Sequence, residues 1–99
     1  MSLPSIETTA DEGVNAAFVR NNRNEVCITF SDPSFVRSDT IWLDSDELAI
    51  HAFLEGKSVL IGYVSEGMAG AFADNDNALL TALRPDGTIF ELFAPIRKY

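Results

Sequence analysis

The stretch Glu47–Ala73, ELAIHAFLEGKSVLIGYVSEGMAGAFA, decides how the rest of the chain is read. As a strand, its first part alternates Leu48, Ile50, Ala52 and Leu54 onto one face. A turn at Glu55-Gly56 then sets Ala52 opposite Val59, Ile50 opposite Ile61 and Leu48 opposite Tyr63. As a helix, the same part would begin at a capping box of Asp44 and Glu47 and stop at Gly56. That reading scatters Leu48, Ile50, Phe53 and Leu54 over a wide arc, so the hairpin is favoured and a second helix at about 45–55 is the alternative. Ser65 then follows as an N-cap. Glu66 sits in the first turn, where the helix dipole favours an acid, and Met68 and Phe72 share a face. One short helix is predicted over about 65–75, held by the sheet because Gly67 and Gly70 each cost about 1 kcal/mol relative to Ala. Most of the core is expected in this unit.

Upstream, VNAAFVR, NNRN and EVCITF read as a hairpin with Asn22-Arg23 as its loop, since Asn tolerates left-handed turn conformations. This register gives a core face of Val19 with Val26 and Ala17 with Ile28. The other face sets Phe18 beside Cys27 and Arg20 beside Glu25 as an exposed ion pair. SDPSFVRSD is a connection turning at Asp32-Pro33, with Phe35 and Val36 as its anchor, and TIWL (40–43) is a short strand. Downstream, Arg84-Pro85-Asp86-Gly87 suits a type I turn with a glycine bulge. It places Ala82 opposite Phe90 and Leu80 opposite Leu92 on an apolar side. Leu83 with Ile89, Thr81 with Glu91 and Leu79 with Phe93 make a partly covered side. Pro95 is expected to end the strand, leaving 96–99 as a basic tip.

The fold expected is α+β: a mostly antiparallel, strongly curved or barrel-like sheet of about six or seven strands with one short helix. Residues 1–12 read as a flexible tail and 13–99 as one domain. A chain of 99 residues hides on the order of 65% of its unfolded surface, enough to fold without staples. Its 46% hydrophobic content exceeds what one small core hides, which points to a shared interface.

The hairpin-then-helix segment containing GKSVLIGYVSEGMA (56–69) resembles the corresponding segment of HIRAN domains over about a quarter of the chain. The chain lacks the basic surface that DNA binding needs, and no function is carried across.

Net charge is −8, from seven basic and fifteen acidic residues, and between Ser38 and Leu83 Lys57 is the sole base. This balance argues against direct nucleic-acid binding and against anionic membranes. Cys27 is the single cysteine and His51 the single histidine, too few for a disulfide or a zinc site. No metal or cofactor is expected. The sequence shows neither a signal peptide nor a membrane span, and a cytoplasmic protein is expected.

Any histidine mechanism must use His51, placed opposite Leu60 on the less apolar face, and a strand histidine is ordinarily structural. Cys27 reads as a small hydrophobe. The acids at 44–47 and 74–77 fail calcium-loop spacing and read as solvated turns. Gly62, Gly67 and Gly70 lack phosphate-loop spacing. No catalytic residue is assigned; Trp42, His51, Phe53 and Tyr63 are candidates for ligand or partner binding. The leading expectation is a non-enzymatic interaction module that forms a homodimer and offers an acidic face to a protein partner with a basic surface. Alternatives are a small-ligand binder with an apolar pocket of Trp42, Phe53, Met68 and Phe72 favouring cationic ligands, an enzyme using His51, or an acidic nucleic-acid mimic.

Overall fold

The computed structural model describes residues 16–98. Seven strands form one sheet: β1 (Ala16–Arg20), β2 (Val26–Phe30), β3 (Thr40–Asp44), β4 (Ala49–Leu54), β5 (Lys57–Tyr63), β6 (Asn77–Leu83) and β7 (Ile89–Lys98). Their order is β1-β2-β6-β7-β3-β4-β5, and the sheet curls into a half-barrel. The fold is α+β with one α-helix, α1 (Glu66–Asp74), and a short 3-10 turn at Pro33–Arg37. The sheet is mixed, because β2 pairs with β6 and β3 with β7 in parallel while the hairpin ladders are antiparallel. The boundary expected between a tail at 1–12 and a domain from 13 lies outside the described residues.

Residues 49–54 are strand, not helix. The carboxylate of Asp44 does accept the amides of Asp46 and Glu47, both at 3.1 Å, as a capping residue would. The chain then reverses through Leu48, at φ 53°, into a hairpin between β3 and β4. The Glu55-Gly56 turn forms with both residues at positive φ, and Ala52 faces Val59 as expected. A bulge beyond His51 then moves Ile50 opposite Gly62 and Ala49, not Leu48, opposite Tyr63.

The first hairpin corrects the expected register by one residue. Its loop is Asn21–Glu25: the Asn21 carboxamide oxygen accepts the amides of Arg23 and Glu25, and Asn24 takes φ 61°. Phe18 therefore faces Ile28 and Val19 faces Cys27, so Ala16 and Phe18 point into the core in place of Ala17 and Val19. A one-residue shift sends every side chain of a strand to the other face. Arg20 bonds Asn24 instead of Glu25, whose carboxylate holds the Asn21 amide.

In the last hairpin all five expected pairs form. Gly87, at φ 91°, donates to the Arg84 carbonyl oxygen, and the Asp86 carboxylate accepts the Thr88 amide and hydroxyl. Those two bonds hold the Asp86 carboxyl below the usual range. Pro95 does not end the strand. β7 runs on to Lys98 and changes partner, joining β3 with Ile96 beside Ile41. Residues 96–98 of the expected basic tip are thus strand, with Lys98 3.5 Å from Asp76.

The core lies on the concave side and draws on every strand, through Phe18, Val26, Ile41, Ile50, Ile61, Leu80 and Ile96, so it is not concentrated in 47–73. The helix α1 closes one part of it. Ser65 caps its N-terminus by accepting the Met68 amide at 3.2 Å, and Phe72 meets Phe18 edge-on at 5.9 Å. The 3-10 turn closes another part, with Val36 buried and Phe35 stacked on Phe30 at 5.5 Å. Because the Ser65 hydroxyl satisfies one otherwise orphaned helix donor, Ser65→Ala should cost about 1 kcal/mol in urea denaturation, with the slope against urea unchanged.

Candidate functional site

Three of the four candidate residues meet on the convex face. Trp42 on β3 stands directly opposite His51 on β4, with ring centroids 4.6 Å apart and planes 29° from parallel. Phe53, two residues along β4, stacks on Trp42 at 6.1 Å. Strand alternation produces this cluster, since Ile41, Leu43, Ile50 and Ala52 point inward and their neighbours must point outward. All three rings are half-buried. Arg97 stands beside Trp42 across the parallel ladder. Tyr63, the fourth candidate, is exposed on β5 opposite Ala49.

The cross-strand neighbours of His51 are Trp42 and Leu60, which makes an aromatic and aliphatic row. A histidine base needs an orienting group, and neither cross-strand neighbour of His51 is a carboxylate. Cys27 lies four strands away in the sheet order, roughly 19 Å at the usual strand spacing, so the two do not form a dyad. Burial, followed by the nearby Glu25 charge, pushes the Cys27 thiol up, the opposite of what a nucleophile requires.

The pocket imagined from Trp42, Phe53, Met68 and Phe72 does not form. Met68 and Phe72 are in the core, whereas Trp42 and Phe53 are on the other side of the sheet. A cavity of about 400 Å³ opens instead beside the 3-10 turn, lined by Ser34, Arg37, Asp39, Leu54 and Glu55. No three His, Cys, Asp or Glu among the described residues are placed to hold a metal ion. In the two acidic stretches, Asp44 closes the β3–β4 turn, Asp76 meets Lys98, and the neutral Asn75 carboxamide donates to the carbonyl oxygens of Ala71 and Asn24 at the end of the helix. No helix among the described residues is long and apolar enough to cross a membrane.

Among the described residues, four of the five exposed large apolar side chains lie on the last hairpin. Ile89 is 66% exposed, Leu83 62%, Phe93 56% and Leu92 41%. Leu83 and Ile89 are directly opposite, and Phe93 faces Leu79 on the same convex side. Sequence pairing placed three of these residues on a partly covered side, and put Leu92 on the inner side with Leu80. Leu92 is exposed because β3 begins at Thr40 and meets β7 only from Ile96 onward, leaving 89–93 without a paired strand on that side among the described residues.

No protein-family model matches the chain, and no curated protein or solved structure shows significant similarity to it. The likeness of 56–69 to a HIRAN segment therefore stands on those residues alone.

Proposed function

We propose that the protein is a non-enzymatic interaction module that associates with itself through the last hairpin and presents acidic turns to a protein partner with a basic surface. The observation carrying this reading is the exposure of four large apolar side chains on the last hairpin, Leu83, Ile89 and Phe93 on the convex side and Leu92 on the concave side. Single exposed apolar residues need no explanation, but four of them on one hairpin do. The stacked Trp42, His51 and Phe53, with Tyr63, supply a second surface on which a partner can rest. The row of apolar neighbours around His51 favours contact over chemistry.

The test is molar mass against concentration. Light scattering from micromolar to millimolar protein should show a reversible rise toward the dimer, and Leu83→Glu combined with Ile89→Glu should hold the monomer throughout. A wild-type chain that stays monomeric at high micromolar concentration would count decisively against self-association.

A further inference from the structure

The edge of β7 shows how two copies would meet. The Arg84 amide donates to the Thr88 carbonyl oxygen at 2.8 Å, and the Ile96 amide donates to that of Asp76 at 2.8 Å. In an antiparallel ladder hydrogen-bonded pairs alternate with unbonded ones. Phe90, Leu92 and Ala94 therefore turn their backbone groups toward β6, while Ile89, Glu91 and Phe93 turn theirs away. Pro95 also turns away, at a position where its missing donor costs the β6 ladder nothing. The open stretch is Ile-Phe-Glu-Leu-Phe, bounded by the turn at Thr88 on one side and by Pro95 and the start of β3 on the other. Its centre is Glu91, with two large apolar residues on each side.

We infer that this edge pairs antiparallel with the same edge of a second copy, with the two-fold axis at Glu91. Ile89 then faces the partner's Phe93 on the convex side, and Phe90 faces the partner's Leu92 on the concave side. Moving the register by one pair sets Ile89 against Pro95, which has no donor, or Phe93 against Gly87, which has no side chain. The Glu91-centred register alone matches every outward backbone group with another, which gives the self-complementarity an isologous contact requires. Of the two outer strands of the sheet, β5 carries exposed Lys57 and a bulge, both of which discourage pairing, and β1 is a strand of five residues that ends in exposed Arg20. The same register sets Glu91 against its own copy, a like-charge pair that weakens the contact. The dimer is accordingly weak, and Glu91 sets its strength.

This inference rests on the self-association reading and adds its geometry. The experiment is sedimentation equilibrium of the full chain as wild type, Glu91→Thr and Glu91→Lys, and of an equimolar mixture of wild type with Glu91→Lys. Glu91→Thr removes the like-charge pair and should tighten the dimer by about five- to tenfold. The mixture sets Glu against Lys at the axis and should form a heterodimer tighter than either homodimer. A wild type that associates while Glu91→Thr leaves its affinity unchanged and the mixture shows no preference would overturn the edge geometry and leave self-association standing elsewhere. Strict monomers for wild type and Glu91→Thr alike would overturn both.

Discussion

Phe72→Ala should lower the free energy of unfolding by about 3–5 kcal/mol, a large share of the roughly 5–15 kcal/mol that holds a domain of this size together. The ring is fully buried and meets Phe18 edge-on, with centroids at 5.9 Å and planes at 82°. It is also the main apolar tie between α1 and the sheet, in a helix that contains two glycines and presents only Met68, Ala69 and Ala71 beside it. A helix of nine residues is too short to stand alone in water, so its stability must come from this packing. Truncation loses the transfer energy of the ring and leaves a cavity that the surrounding β-strands cannot close. Phe72→Leu, which keeps most of the volume, should cost markedly less. Urea denaturation of both variants, with Phe18→Leu and the double variant to close a cycle, measures the ring pair separately at about 0.5–1.5 kcal/mol. A cost for Phe72→Ala below about 1 kcal/mol would mean that the helix does not seal the core.

How far the sequence could be read follows from how local each determinant is. The last hairpin was legible to the residue because Pro85 presets one turn angle and Gly87 accepts another, leaving a single register. The helix was legible at both ends because Ser65 and Asn75 carry capping side chains beside the bonds they satisfy. The first hairpin was not, since three of the five residues from Asn21 to Glu25 are asparagines that can serve in a turn, and the loop length is set by which of them turns back. The continuation of β7 past Pro95 depends on β3, over fifty residues earlier in the chain, arriving at its side. No local pattern encodes that meeting.

The same distinction applies to the candidate surfaces. Alternation along β4 was enough to put His51 and Phe53 on one face, and the β3 register then brought Trp42 onto them. Ile89 and Phe93 read as partly covered because their side is mostly apolar and broken by one polar pair, Thr81 with Glu91. The exposure of Leu92 comes from where β3 starts, after the 3-10 turn at Pro33–Arg37 has tucked Val36 beneath the sheet and before the chain reaches Thr40. A strand that is central for half its length and an edge for the other half has no signature in its own residues.

The register of the first hairpin yields the sharpest contrast between neighbouring positions. Phe18→Asp should abolish folding, whereas Val19→Asp should leave a folded protein weakened by about 1 kcal/mol. Phe18 is fully buried among Ile28 and Phe72, so a carboxylate there would lose its water without gaining a donor. Val19 points to the convex side opposite Cys27 and is only half-buried, so a carboxylate there keeps part of its hydration. The sequence pairing through Asn22-Arg23 demands the reverse, with Val19 in the core and Phe18 outside. Far-UV circular dichroism and thermal melting of the two variants therefore decide the loop. Unfolding by Val19→Asp with tolerance of Phe18→Asp would restore the two-residue turn, and with it the opposite face of β1.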